Sequence, residues 1–434
     1  MVLVRDFLGF ILLILLSPWI LYRSWRKGKS LAVLWDRFLG AVPRRPGGGD
    51  APTFWFHGVS VGEIHLLRQL IALARKENPL WNLVISASTD NGLLEARRCF
   101  SDLLVFPFPL DFSWAVRRAL DKVQPTQIVL AESELWPTFL ALARSRGVPV
   151  AVINARMSPK SQRRYRWMRW WTRPLLSQVN LFAVQDPATA GFFRDMDVPE
   201  SRIALTGSIK YEGAVPDPGN PKVVELREIF QIQDNQIIWV AGSTQSPEES
   251  WVLDAFNRLA GEIPQLRLIL VPRQPDQFDP VARMLGEAGH SFARRSKLSS
   301  AQPTEERIIL VDTLGELKQV WQLADLAFVG GSLDGKRGGQ NMIEPAACGA
   351  AVFFGPHVWN FKEVAKDLIA TGGAMKIQSE KEMDQAVRLL ASHPIRRREM
   401  GEKAREFVLS QKGATGKTLR LLEGLVGNPW SKAA

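Results

Sequence analysis

The sequence predicts an α/β protein of two doubly wound parallel-sheet domains behind an N-terminal membrane-anchor helix. Three observations predict it. Short apolar, β-rich runs alternate with helix-length segments along most of the 434 residues, the pattern of a parallel sheet with helices on both faces. The alternation breaks once, at a stretch rich in proline and glycine, and then restarts; the length suits two domains of ordinary size. Ahead of the first strand stands an uncharged run of 16 residues, Phe7 to Tyr22, followed at once by Arg23, Arg26, Lys27 and Lys29.

A spanning helix wants about 20 apolar residues, with a lower limit near 17. Val2-Leu3-Val4 brings the run within reach of that length. No small-x-small cleavage site follows, so residues 1–29 read as a retained anchor rather than a removed signal peptide. The cationic flank places the following chain on the cytoplasmic side. Pro18 and the short length leave an interface-lying helix open. Pro43 to Asp50 then has the composition of an exposed hinge.

Strands are expected at Phe54–His57, Leu83–Ser86, Leu103–Phe106, Ile128–Ala131, Val150–Ile153, Phe182–Val184 and Ile203–Thr206. Tyr211 to Pro221, with three prolines and two glycines, reads as the linker between a first domain over residues 30–210 and a second over 222–425. Further strands follow at Ile237–Ala241, Leu266–Val271, Ile308–Val311, Leu326–Val329, Ala351–Phe354 and Ala374–Ile377. The last helical stretch, Ile395–Leu425, is a candidate to cross back to the first domain. Tandem domains of this kind bind ligands outside the carboxyl ends of their strands.

The composition is globular, at 46% hydrophobic and 23% charged residues. Cys99 and Cys348 stand far apart in sequence, and no Cys-x-x-Cys is present, which excludes a disulfide framework and the usual zinc knuckle. The net charge of +11 is concentrated. Eight basic residues stand against two acidic ones in residues 1–45, and six against none in residues 160–173. Two localised patches argue for a localised anionic partner.

Several polar clusters sit just after expected strands. Phe54 to Glu63 (FWFHGVSVGE) reads as strand, two-glycine turn and helix start, which places the Glu63 carboxylate at a strand end. The same residues fit a capping box, Ser60 as N-cap and Glu63 at N3 closing on the Ser60 backbone N–H. Glu132-Ser133-Glu134, Asn154-Ala155-Arg156 and Gly207-Ser208-Ile209-Lys210 end three further strands. In the second half, Gly330-Gly331-Ser332 ends a strand and Gly338-Gly339-Gln340-Asn341-Met342-Ile343-Glu344-Pro345 enters a helix. A glycine-rich turn opening a helix offers backbone N–H groups to an anion, typically phosphate. Glu344 is expected about one turn into that helix, placed to accept from ribose hydroxyls. Pro272-Arg273 offers a fixed cation, and Gly315-Glu316-Leu317 follows the Ile308 strand. His57, His65, His290, His357 and His393 show no metal-ligand spacing. No catalytic metal and no cofactor are expected.

In combination these motifs resemble the Kdo transferases, enzymes that add 3-deoxy-manno-octulosonate (Kdo) to lipid A precursors. The carrying residues are FHGVSVGE at 56–63, ESELWP at 132–137, NARMS at 154–158, TGSIK at 206–210, AGST at 241–244, VPRQP at 271–275, FVGGSL at 328–333, GGQNMIEPA at 338–346 and GPH at 355–357. The resemblance extends over nearly all of residues 30–425. It implies a GT-B architecture of two Rossmann-like domains, the first binding the acceptor and the second the CMP-sugar. It implies inverting transfer of Kdo from CMP-Kdo to a lipid A precursor in lipopolysaccharide core biosynthesis, at the cytoplasmic face of a bacterial inner membrane. Carried over by position, Glu63 becomes the general base, and Glu132 and Lys210 transition-state stabilisers. Pro272, Arg273, Gly315, Glu316, Leu317, Asn341, Met342, Ile343 and Glu344 become the CMP site. The chain departs from the family pattern at Gln245, Gln274 and Gln340, where histidine is usual; glutamine keeps a donor and an acceptor but cannot take a positive charge.

The segment Lys160–Arg173 is expected to be helical, with Arg163, Arg166, Arg169 and Arg173 near one face and Trp167, Trp170 and Trp171 together. That arrangement suits a phosphorylated glycolipid or membrane headgroups. Nucleic acid is disfavoured by the membrane segment and the phosphate-type motifs. Two other readings stay open: a GT-B transferase or epimerase using a UDP-sugar, and a non-catalytic membrane-bound binder of anionic ligands. A nicotinamide dehydrogenase is disfavoured because neither first strand is followed by G-x-G-x-x-G.

Overall fold

Uninterrupted apolar runs become central strands because both faces of a parallel sheet are covered. In the computed structural model this is plain at Thr53–Gly58 (β1), where all six residues are buried. Phe54 and Phe56 enter one core with Ile85, Val129 and Ile153. Trp55 enters the other with Val84, Phe106, Ile128 and Val152. The structure describes residues 6, 7, 10, 11, 15, 32–43, 51–132, 135–214, 216, 217 and 219–426. The expected anchor over residues 1–29 and the hinge at 43–50 lie almost wholly outside the described residues, as do Ser133 and Glu134. Among the described residues no helix is long and apolar enough to cross a membrane.

The chain forms two compact units. The first comprises residues 1–212 and 412–434, the second residues 213–411. In the first, helix Ala32–Leu39 (α1) precedes β1, and then α2 (Val61–Glu77), β2 (Asn82–Ala87), α3 (Asp90–Cys99), β3 (Leu104–Pro107) and α4 (Ser113–Val123) follow. Next come β4 (Gln127–Ala131), α5 (Pro137–Ser145), β5 (Val150–Ala155), α6 (Pro159–Trp167), α7 (Arg169–Leu176), β6 (Leu181–Val184), α8 (Pro187–Asp195) and β7 (Ile203–Leu205). The strand order is β3-β2-β1-β4-β5-β6-β7, and the pairs are parallel. Strand order therefore reverses between β1 and β4, the switch point at which doubly wound sheets bind ligands.

The second unit runs α9 (Pro221–Ile229), β8 (Ile237–Thr244), α10 (Glu248–Ala260), β9 (Leu266–Pro272), α11 (Phe278–Glu287), β10 (Ala293–Arg294), β11 (Ile308–Leu310) and α12 (Leu317–Val320). It continues through β12 (Leu326–Val329), α13 (Ile343–Ala347), β13 (Ala351–Phe354), α14 (Lys362–Ala370), β14 (Ala374–Lys376), α15 (Glu380–Ser392) and α16 (Pro394–Ser410). Its order is β10-β11-β9-β8-β12-β13-β14, with a switch between β8 and β12. Trp239, Leu268, Leu270, Phe328 and Phe353 fill one face.

All thirteen expected strands are present, within a residue or two at their ends except β8, which runs three residues further than expected. The structure adds β10, two residues on the sheet edge that pair only with β11. The expected single helix at 395–425 is two, α16 and Ala414–Val426 (α17), broken at Gly413 with φ +92°. The second belongs to the first unit, where Asn78 Nδ2 donates to Glu423 Oε1 at 2.7 Å. The basic segment is likewise two helices, α6 and α7, meeting at Met168.

Candidate active site

In the first unit, the candidate residues follow β1, β4, β5 and β7 along the carboxyl edge. Glu63 lies in the first turn of α2 and is half-buried. Its carboxylate accepts from the Val59 backbone N–H and from the Ser60 hydroxyl, the latter at 3.2 Å. This corrects the expected capping box. The Ser60 side chain makes no cap hydrogen bond, and Glu63 closes on Val59 rather than on Ser60. The β1–α2 turn is held from outside by Thr89, whose N–H and hydroxyl both donate to Val59 O, at 3.1 and 2.7 Å. A Cβ on Gly92 would stand 2.7 Å from the same oxygen, so the start of α3 can close on the turn only with glycine there. Thr89 and Gly92 are supports that the sequence reading missed; their only local signal was an N-cap pattern, and Thr89 does cap α3 through Gly92 N.

The next strand end carries Glu132, whose φ is +60°, and Asn154, the penultimate residue of β5, has φ +52°. Two non-glycine residues in the left-handed region at neighbouring strand ends are strained positions of the kind that mark functional turns. Asn154 is fully buried, and its Oδ1 accepts from Ile209 N at 3.0 Å. That bond seats the 3-10 segment Ile209–Ala214, which delivers Lys210. Lys210 Nζ then stands 2.9 Å from Glu132 Oε1, with the two side chains 36% and 33% exposed. The structure thus brings Glu132 and Lys210 together, and Asn154 is the buried strut beneath them. Glu63 and Glu132 follow β1 and β4, the two strands that flank the switch point.

His57, on β1, is fully buried and stacked on Phe108 at 3.9 Å. Its Nδ1 is 3.0 Å from Ser86 Oγ and 3.1 Å from Ser86 O. Burial pushes its pKa down to about 3, partly opposed by the Ser86 backbone bond and helped by the Arg37 charge. It is a neutral, hydrogen-bonded strand residue.

In the second unit, the glycine-rich turns are largely filled by the protein's own groups. Glu248, fully buried at the start of α10, accepts from the backbone N–H groups of Gly331 (2.6 Å), Ser332 (2.9 Å), Leu333 (3.0 Å) and Gln245 (3.2 Å). Burial raises its carboxyl above the ordinary value, and those four N–H groups work against the rise. Glu248 had no part in the expected site. Gly338 has φ +81°, and a Cβ there would meet the Trp359 ring at 2.2 Å. Gly339 N–H donates to Gly331 O at 2.7 Å. A Cβ on Gly331 would stand 3.0 Å from Gln245 Nε2 and 3.2 Å from Gln340 Nε2, so two of the three unusual glutamines converge on one turn.

The expected place of Glu344, about one turn into its helix, is corrected. The helix is only Ile343–Ala347, and Glu344 is its second residue. Asn341 Oδ1 accepts from Ile343 N at 3.1 Å, which takes up one of the few N–H groups such a short helix could offer. Met342 and Ile343 are buried, leaving their backbone as the part able to meet a ligand. Burial raises the Glu344 carboxyl, opposed by Lys318, Asn341 and Arg273. Arg273 is exposed, after the buried Pro272 that ends β9. Gly315 has φ +83° with open space beside it. The Glu316 carboxylate is consumed internally: Lys222 and Arg295 each approach at 3.1 Å, and the Thr313 hydroxyl donates to it. Burial would raise its pKa, but the Thr313 bond and these two cations hold it below the ordinary range.

On α6 and α7, Trp167 and Trp170 are 82% and 78% exposed. The arginine stripe is partly neutralised. Arg166 pairs with Asp195 and Arg169 with Asp197, each at 2.7 Å, and Arg173 also meets Asp197. The acids come from the end of α8 and the turn after it, beyond the reach of local pattern.

A family model described as 3-deoxy-D-manno-octulosonic-acid transferase (kdotransferase) matches residues 34–213. A 3-deoxy-D-manno-octulosonic acid transferase of Haemophilus influenzae is 32% identical over 372 residues, 85% of this chain and 86% of that protein. The transferase of the same name from Bordetella pertussis is 33% identical over 428 residues, 95% and 97% of the two chains. Among solved structures, UDP-GlcNAc 2-epimerase of Neisseria meningitidis bound to UDP-GlcNAc superposes with a TM-score of 0.57 at 12% identity, covering 87% of this chain and 100% of that one. At that identity the likeness is one of fold.

Proposed function

The chain belongs to the 3-deoxy-D-manno-octulosonic acid transferase family, glycosyltransferases of lipopolysaccharide biosynthesis, and we propose that it moves Kdo from CMP-Kdo to a lipid A precursor with Glu63 as general base. The observation that carries this reading is the first unit's carboxyl edge, where the half-buried Glu63 carboxylate and a half-exposed Glu132–Lys210 pair stand after the two strands that flank a switch point. The acceptor hydroxyl oxygen bonds to the anomeric carbon as the bond to CMP breaks from the opposite side, inverting that centre. The proton passes to Glu63, and the electron pair leaves with the CMP phosphate. Lys210, oriented by Glu132, stabilises the charge that develops.

The second unit holds the donor. Pro272 and Arg273, the backbone of Gly315 to Leu317, and Asn341 to Glu344 bind CMP, with Glu344 on the ribose. Because the helix after Asn341 is short and partly capped by its own chain, Arg273 carries more of the phosphate charge than a helix terminus does. No metal takes part, so turnover survives EDTA. Residues 1–29 attach the enzyme to the inner face of the inner membrane. Trp167 and Trp170 rest at the headgroups beside Lys160, Arg163 and Arg164, which have no carboxylate partner among the described residues.

The test is to incubate the purified protein with CMP-Kdo and a lipid A precursor and look for the mass of added Kdo. Product that forms with a UDP-sugar instead, or none with either, overturns the reading.

A further inference from the structure

On the outer side of the first unit, α2 and α3 bring together three side chains that are separated in sequence. His65 Nε2 lies 3.3 Å from Glu95 Oε1. Cys99 Sγ lies 3.3 Å from the same oxygen. The three ligand atoms all fall within 4.8 Å of one another. An imidazole nitrogen, a carboxylate oxygen and a sulfur are the ligand set of borderline d-block cations, zinc above all. With ordinary bond lengths, a tetrahedral zinc ion separates its nitrogen and oxygen ligands by about 3.4 Å and its sulfur and oxygen ligands by about 3.6 Å. The two measured edges are close to both values.

The alternative is a hydrogen-bonded surface cluster, in which the thiol and the imidazole simply share the carboxylate. Arg98 bears on that choice, since it donates to both Glu95 oxygens, Nη2 to Oε1 at 2.7 Å and Nε to Oε2 at 3.0 Å. The pair is an exposed i, i+3 contact of small worth. One-oxygen coordination through Oε1 leaves Arg98 on Oε2, as an outer partner that orients the ligand.

We propose that His65, Glu95 and Cys99 form a binding site for a zinc-class divalent cation, with a fourth position open to water. On binding, the Cys99 thiol gives its proton to solvent and the thiolate, the neutral imidazole and the Glu95 carboxylate each donate an electron pair. Occupancy pins α3 to α2, the helix that carries Glu63 two residues before His65. The site is independent of the transfer reaction and does not rest on it.

The experiment uses the untagged full chain, stripped with a chelator, kept reduced and titrated with Co²⁺. A sulfur-to-cobalt charge-transfer band should saturate at one equivalent and be abolished by Zn²⁺. Cys348, half-buried with its thiol pushed up to about 12, serves as the control: Cys348→Ser keeps the band and Cys99→Ser loses it. His65→Gln should weaken binding by at least about tenfold. Absence of the band in the wild type, its survival in Cys99→Ser, or unchanged affinity in His65→Gln overturns the proposal. Alkylation of Cys99 in the wild type gives a reading that needs no variant: Zn²⁺ should slow it strongly, and an unchanged rate counts against the site.

Discussion

The carboxyl edges of the two sheets share a topology and use their acids in opposite ways. Along the first sheet, Glu63 and Glu132 are half-exposed; Glu63 meets a backbone N–H and a hydroxyl, and Glu132 meets Lys210. Along the second, Glu248 and Glu316 are buried and saturated, one by four backbone N–H groups and the other by two cations and a hydroxyl. A carboxylate held that tightly shapes the loops around it and has little capacity left for a substrate. A carboxylate that reaches solvent can trade a partner for a reacting hydroxyl. Access to solvent at a strand end is therefore what separates the groups suited to chemistry from the buried ones that set the backbone.

The sharpest way to break this comparison is Glu63→Gln. Glutamine retains an acceptor for Val59 N–H, so the melting temperature should stay within a degree or two. It cannot take a proton, so turnover should fall by about 10²–10⁴-fold. A variant with near-wild-type turnover would reduce Glu63 to a tether like Glu248. Second comes Glu248→Ala, which leaves several buried N–H groups without partners. Urea unfolding of the second unit should lose on the order of 3 kcal/mol or more, with CMP binding lost alongside; a change below 1 kcal/mol would show that Glu248 is no strut.

Lys210→Gln should separate the two kinds of acid from the other side. The pair it breaks is more than a third exposed on the lysine side, so stability should change by no more than about 1 kcal/mol. Turnover should fall by about 10²-fold through lost stabilisation of developing charge. Equal loss of both would place the pair with the structural acids.

The smallest effect is a pH dependence confined to the first unit. His57 has its folded pKa depressed to about 3 from an ordinary 6.5. Folding therefore favours the neutral ring, and the stability it supplies is complete above about pH 6.5. It is lost progressively as the pH falls from there toward 3, because the unfolded chain binds the proton first. By pH 5.5 the loss should be about 1.4 kcal/mol, one pH unit below the unfolded value. His57→Asn should lack that component, and parallel stability curves for the two proteins would remove the argument.

What the sequence by itself determined is the local part. A central strand buried on both faces needs a continuous apolar run, so the strands of both sheets were legible in runs such as Phe54–Phe56 and Ile128–Ala131, and with them the strand ends that carry Glu63, Glu132, Asn154 and Lys210. The motifs at those ends also pointed to the family. The edge strand Ala293–Arg294 was not legible, because two residues paired on one side carry no pattern. Tertiary structure alone decided which acids were buried and saturated. Gly331, Ser332 and Leu333 lie more than 80 residues from Glu248, and Asp195 and Asp197 sit far along the chain from the arginines they neutralise. It also decided that His65, Glu95 and Cys99 meet, since their spacing in sequence fits no metal motif until α2 and α3 pack side by side. The reason is the same in each case: a strand's burial is written in its own residues, whereas a charge takes its partners from wherever the fold brings them.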